Sequence, residues 1–238
     1  MQVNAVERLE WDSQFFGYPI GRIVFDKAGQ YDLNELFRQL ISEKIRLTYL
    51  FVNVNEKKLN KDIVRKGCTL VDQKTLYSKT AEGHNTNSDY IDEFEGTEID
   101  ESLIQLVLQA GLYSRFRLDP NFTKNEYERL YIEWLKKSLN KSIALKTFIV
   151  KKNSEIVGLT TLGEKLGFAD IGLVAVDKNF RGQGIAVELI DFADNVAFDL
   201  GYKEIKVVTQ LQNKGACRLY EKCNFQIENI TNIYHFWQ

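Results

Sequence analysis

Residues 174–193 read VAVDKNFRGQGIAVELIDFA, an apolar β-branched run that passes through a basic, glycine-bearing turn into apolar residues at helical spacing. A buried strand that hands over to a helix within so few residues commits this part of the chain to a layered α/β packing, because each element must bury its apolar face against the other. The helix expected from about Gly184 keeps Val187, Leu189, Ile190, Ala193, Val196 and Ala197 inward and stops near Gly201. Its first amide N–H groups have no partner within the helix and carry partial positive charge. The turn before it therefore suits an anion, phosphate above all. Arg181 adds a full charge, and Gly182 and Gly184 lack the β-carbon that would keep a phosphate off the backbone. The plainer reading is a loop that uses glycine for its dihedrals and arginine for solubility, and a bare Gly-x-Gly does not separate the two.

Helical and strand periods alternate elsewhere as well. YDLNELFRQLISEKIR places Leu33, Leu36, Phe37, Leu40 and Ile41 on one helical face, and TYLFVNV follows as a buried strand. LNKDIVRKGCTLVDQKTLYSK (59–79) echoes ACRLYEKCNFQIENITNIYHF (216–236): in each, a helix ends at a turn-forming residue and two short strands are expected after it. AEGHNTNSD (81–89) is polar and turn-rich, the expected linker between a domain over 1–88 and one over 89–238. In the second, helices are expected over 99–110, capped by Thr97 or Asp100, and over NEYERLYIEWLKKSLN, with Tyr127, Leu130, Tyr131, Trp134 and Leu135 inward. SIALKTFIVKK and IVGLTTL read as a hairpin through NSE, and ADIGLVAV as a strand covered on both faces. KEIKVVTQ is a further strand and NKGACRLYEKCN a further helix.

The 238 residues are 44% apolar and 27% charged, a globular composition with enough apolar mass for a core. Basic and acidic residues, 31 against 33, nearly balance, which argues against nucleic acid or an acidic membrane as the main partner. Any basic site must be local. No stretch reaches the ~20 apolar residues needed to span a bilayer, and the start lacks a secretory pattern, so a cytoplasmic protein is expected. Cys68, Cys217 and Cys223 lack metal-ligand spacing and lie far in sequence from His84 and His235. No metal is expected, and the cysteines read as small buried hydrophobes.

The turn is similar to the acyl-CoA signature of the GNAT (GCN5-related) N-acetyltransferases, Arg/Gln-x-x-Gly-x-Gly/Ala, which reads here Arg181-Gly182-Gln183-Gly184-Ile185-Ala186. KVVTQLQN leading to Asn213, and ACRLYEKCNF bearing Tyr220, resemble the strand and helix that follow it in that family. The resemblance covers about 89–238. It implies an α/β fold of the GNAT type, a mixed, mostly antiparallel central sheet flanked by helices, with the smaller N-terminal α/β domain as a degenerate half of the same fold. It also implies acetyl-CoA as co-substrate. Its pantetheine arm would lie along the backbone of Leu173, Val174, Ala175 and Val176 between two splayed strands. Its diphosphate would sit on the amides of Arg181 to Ala186, with Asn213 near the cleft. Tyr220 would be the acid that meets the departing thiolate. Glu164 and Asp170 are candidate bases, a water chain from backbone carbonyls would serve too, and the sequence selects none. FVNV is followed by NEKKLN rather than by an RGQG turn, so one CoA per chain is expected.

For the acceptor, YSRFR (113–117) with Tyr127, Arg129, Tyr131 and Trp134, and the closing IYHFW, resemble the branch of the family that acetylates TDP-linked 4-amino-4,6-dideoxy sugars for surface polysaccharides. That implies direct attack in a ternary complex, a homodimer, and a nucleotide-sugar amine whose phosphates Arg115 and Arg117 grip. Two arginines at a helix end would equally neutralise its dipole. Trp11, Phe15 and Phe16 read as core rather than a stacking platform. The rival readings are a GNAT enzyme acting on a protein N-terminus or small amine, and a non-catalytic acyl-CoA-binding module. Intact Tyr220 and Asn213 speak against the latter.

Overall fold

A computed structural model of the protein describes residues 6–25, 31–83 and 90–238. Residues 84–89 of the expected linker, His84 among them, lie outside these. The described residues form two compact units: those of Met1–Thr75 together with Asn229–Gln238, and Leu76–Glu228. No helix among them is long and apolar enough to cross a membrane.

The first unit contains β1 (Glu7–Arg8), α1 (Glu10–Phe16), β2 (Ile20–Phe25), α2 (Leu33–Ser42), β3 (Leu47–Asn53) and α3 (Lys57–Arg65). β2 and β3 pair in parallel without interruption from Ile20 opposite Leu47 to Phe25 opposite Val52. α2 makes the crossover. Asp32 caps it by accepting from the amides of Asn34 and Glu35, and its Leu36, Phe37 and Leu40 are buried with Ile23, Leu50, Val52 and Ile63. Ile41, expected on the same face, is 59% exposed. At 100° per residue it lies a quarter turn from the centre of the buried stripe.

A long strand follows α3, β4 (Thr69–Thr80), and the chain ends in another, Gln226–Trp237, which is β10 in chain order. Residues Thr231 to Trp237 of β10 pair antiparallel with β3, from Asn53 back to Leu47. The two short strands expected in each echoing segment are thus one twelve-residue strand in each. Left-handed residues close the preceding helices, Gly67 at φ 86° and Asn224 at φ 65°. Past them neither strand contains a glycine or proline to break it.

The second unit holds β5 (Ile91–Glu93), α4 (Glu101–Ala110), α5 (Arg115–Leu118), α6 (Glu126–Leu139), β6 (Lys146–Lys152), β7 (Glu155–Lys165), β8 (Phe168–Val176), α7 (Ile185–Asp199), β9 (Glu204–Gln210) and α8 (Lys214–Lys222). β5 to β8 pair antiparallel in order and β9 joins β8 in parallel. This is the mixed, mostly antiparallel sheet that the family resemblance implies. Asn153 and Ser154, both left-handed, make the two-residue turn between β6 and β7 whose twist suits the strands. α7 buries Ile185, Leu189, Ile190, Ala193 and Ala197 with Phe148, Val150, Ile171 and Val207 of the sheet. Asp100, rather than Thr97, caps α4 by accepting from the Leu103 amide at 2.9 Å.

Candidate active site

β8 pairs with β9 along only part of its length. The parallel ladder has three positions, Ala169 with Ile205, Asp170 with Lys206 and Ile171 with Val207. Both strands then continue, to Val176 and Gln210, without pairing to each other. At the same point β8 gains a residue: Leu162 faces Ile171 and Thr160 faces Val174, so Gly172 and Leu173 stand opposite Thr161 alone. Such a bulge bends the strand that carries it. The Leu173 N–H donates to Thr161 Oγ1 at 2.8 Å, and a β-carbon on Gly172 would stand 2.8 Å from that hydroxyl. Glycine leaves the room the bulge needs.

Beyond the bulge, the direction of each backbone group follows from one contact. The Asp177 N–H donates to Val157 O at 2.8 Å. Antiparallel alternation then turns Ala175 towards Leu159 on β7, and Val174 and Val176 away from β7, to the side where β9 has departed. Val176 O on that side accepts from Arg181 Nε at 3.0 Å.

The chain leaves β8 through Asp177, which accepts from the Asn179 N–H, and a short 3-10 turn over Lys178–Phe180. That amide bond holds the Asp177 carboxyl below the usual range. Gly182 and Gly184 are left-handed, φ 78° and 88°, a region that glycine enters without strain. Nothing lies within 4 Å of where a Gly182 β-carbon would be. Val187 and Glu188 donate their amides to Gly184 O, while those of Ile185 and Ala186 stand ahead of the first intrahelical bond. Arg181 Nη2 donates to Gln109 Oε1 at 3.0 Å, which brings α4 to the turn. No motif in the sequence marks Gln109.

At the end of β9, Asn213 Oδ1 accepts from the Ala216 N–H at 3.2 Å and so caps α8. Tyr220 lies further along α8, buried, with ring centroids 5.7 Å from Tyr77 and 6.1 Å from Phe225. Burial pushes its phenol well above the usual tyrosine value, with Cys223 and Cys217 adding to the shift, so the hydroxyl keeps its proton at neutral pH. Glu164 accepts from Tyr202 Oη at 2.9 Å, and Asp170 stands in the paired part of the ladder. At ~3.3 Å per residue, Asp170 is ~13–20 Å along β8 from Val174 and Val176, so neither carboxylate sits at the open end. Arg115 and Arg117 form a four-residue helix of their own, α5, capped by Ser114. Arg117 Nη1 donates to Leu112 O at 3.0 Å, and the Arg115 guanidinium lies 4.3 Å from the Phe116 ring centroid. All three cysteines are free and buried, and burial pushes Cys68 and Cys223 up to about 12. Among the described residues, no His, Cys, Asp and Glu cluster could hold a metal.

Comparison with known proteins agrees with this geometry. Residues 110–225 match the Acetyltransferase (GNAT) family. The spore coat polysaccharide biosynthesis protein SpsD of Bacillus subtilis is 27% identical over 137 residues, 58% of this chain and 47% of that protein. A dTDP-fucosamine acetyltransferase of Escherichia coli is 29% identical over 130 residues, 54% of this chain and 55% of that protein. The chain spans about half the length of these curated relatives. Among solved structures, a GCN5-related N-acetyltransferase from Sphaerobacter thermophilus superposes with a TM-score of 0.59 at 17% identity, over 92% of this chain and 73% of that one. That last likeness concerns the fold. With its bulged strand, its parting parallel pair and its Arg-Gly-x-Gly turn on the N-terminus of α7, the chain has the GNAT fold, and its residues 110–225 match the acetyltransferase family of that name.

Proposed function

We propose that the protein transfers the acetyl group of acetyl-CoA to the amine of a TDP-linked 4-amino-4,6-dideoxy sugar, in the cytoplasm, for surface polysaccharide synthesis. The observation that carries the transfer itself is the meeting of two features: the unpaired stretch of β8 beside β9, and the glycine turn that follows it. Pantetheine contains two amides, so it needs both donors and acceptors along its length, as an added strand does. Val174 N–H and C=O and the Val176 N–H meet that need; Leu173, whose N–H is bonded to Thr161, and Ala175, turned to β7, line the same strand. The main-chain amides of Arg181 to Ala186 suit the diphosphate.

The thioester supplies the acetyl group. The sugar nitrogen attacks its carbonyl carbon, and a backbone amide of β8 facing the gap steadies the developing oxyanion. As the C–S bond breaks, the Tyr220 phenol, protonated at neutral pH, gives its proton to the thiolate and is reprotonated from solvent. The proton lost by the ammonium passes to water, since Glu164 and Asp170 stand away from the open end.

The sugar acceptor rests on the names of two relatives, one a dTDP-fucosamine acetyltransferase and one a polysaccharide biosynthesis protein. Arg115 and Arg117, in the helix that follows α4, supply cations for a nucleotide diphosphate. Free thiol release, followed with acetyl-CoA and a panel of amines, tests this. Turnover with a TDP-4-amino-4,6-dideoxy sugar, and a higher acceptor KM in Arg115→Ala and Arg117→Ala variants, is expected. Turnover with N-terminal peptides or simple amines alone would end the sugar assignment and leave the acetyl transfer standing.

A further inference from the structure

The turn that follows β8 is fastened to α4 through one side chain. Gln109 Nε2 donates to Asp177 Oδ2 at 3.3 Å, while its Oε1 accepts from the Lys178 N–H at 3.0 Å and from Arg181 Nη2 at 3.0 Å. Arg181 Nε in turn donates to Val176 O at 3.0 Å. One amide therefore spans residues 177 to 181, and Arg181 carries the connection on to the end of β8. The chemistry is selective for an amide. A carboxylate at this position would face Asp177 with like charge, and a cation would face Arg181. A hydrocarbon would accept from neither the Lys178 N–H nor the arginine and would leave both to solvent. Asp177 is itself fixed, because its other oxygen accepts from the Asn179 N–H at 2.9 Å.

We infer that Gln109 is a positioning residue for CoA, acting through Arg181; this rests on the reading of the turn as the diphosphate site. A guanidinium has five N–H donors, and here Val176 and Gln109 take two. Three remain for a ligand, already aimed, so binding does not have to order a long flexible side chain or the loop around it. Arg181 is thus first a brace of the turn, and its charge reaches the ligand from a fixed position.

Calorimetric titration of acetyl-CoA into the full chain tests the inference with Gln109→Ala, Arg181→Gln and the double variant. The Gln109→Ala variant is expected to bind about tenfold more weakly. Its kcat at saturating acetyl-CoA should stay within about twofold, since the turn lies away from the reacting atoms. If Gln109 acts through Arg181, the double variant binds no more weakly than Arg181→Gln alone. A second pair guards against mere damage to the fold. Gln109→Glu should weaken binding, and adding Asp177→Asn should restore it, because amide and carboxylate exchange places and every hydrogen bond of the clamp can re-form. Unchanged affinity in Gln109→Ala, strictly additive losses, or no recovery in the exchanged pair would overturn the inference. Absence of binding by the unaltered protein would instead defeat the acetyl-CoA reading itself.

Discussion

Tyr220 is a helix tyrosine enclosed by Tyr77, Phe225 and the sulfurs of Cys217 and Cys223, and its enclosure decides its chemistry. An acid must hold its proton until the leaving group needs it. The Tyr220 phenol, its pKa raised by burial, does so across the whole neutral range even though the same shift makes it a weaker donor, whereas the attacking amine improves as pH rises. The rate should therefore climb with pH and show no descending limb up to about pH 10, the unshifted tyrosine value. Tyr220→Phe should lower kcat by about 10²-fold with acetyl-CoA affinity unchanged. A pH–rate profile that falls between pH 8 and 9, or a fully active phenylalanine variant, would remove the assignment. A second buried group concerns stability: Asp194, fully buried on α7, accepts from Lys79 Nζ at 2.6 Å and from the Glu82 N–H at 3.3 Å. Asp194→Ala strands the lysine charge in the interior, and urea denaturation should show a loss of about 3–5 kcal/mol. At this scale the sequence shows what is local. Arg181, Gly182 and Gly184 are contiguous and visible as a motif, while Gln109 meets Arg181 across 72 residues and Asp194 looks like any helical acid until its partner arrives.

Elements carry the next level of specification. ADIGLVAV is legible as a strand from its apolar run, but alternation alone does not reveal that β8 holds one residue more than β7 opposite it. That extra residue matters more than the strand, since the bulge at Gly172 and Leu173 coincides with the last β8–β9 pair. Gly172→Ala would press a methyl against Thr161 Oγ1, the group that holds the Leu173 N–H. Overpacking of this kind costs about 1–3 kcal/mol. Here it should also shift the strand along which pantetheine is proposed to lie, so both the thermal midpoint and the acetyl-CoA affinity are expected to fall. A variant that melts earlier yet binds acetyl-CoA as tightly as the parent would separate the bulge from the site. The echoing segments teach a similar lesson: their shared helix-and-turn is readable from Gly67 and Asn224, while the length of the strand after it is set by pairing partners far along the chain.

At the scale of the whole molecule, the order β2, α2, β3, α3, β4 repeats as β8, α7, β9, α8, β10. In that register the counterpart of the Arg-Gly-x-Gly turn is the connection from β2 to α2, of which residues 26–30 lie outside those described, rather than the stretch after FVNV. Its sequence, DKAGQYD, has no Gly-x-Gly. The two parallel pairs also differ: β2 and β3 stay paired over all six residues of β2, while β8 and β9 part after three positions. A linear reading could not see this, nor that Thr231 returns to pair with Asn53, because both depend on contacts between distant residues. The parting of β8 from β9 is the one place proposed here for an acyl carrier. Titration calorimetry of the folded chain with acetyl-CoA measures that directly. One molecule bound per chain is the expected result; no detectable heat, or two molecules bound, would contradict it.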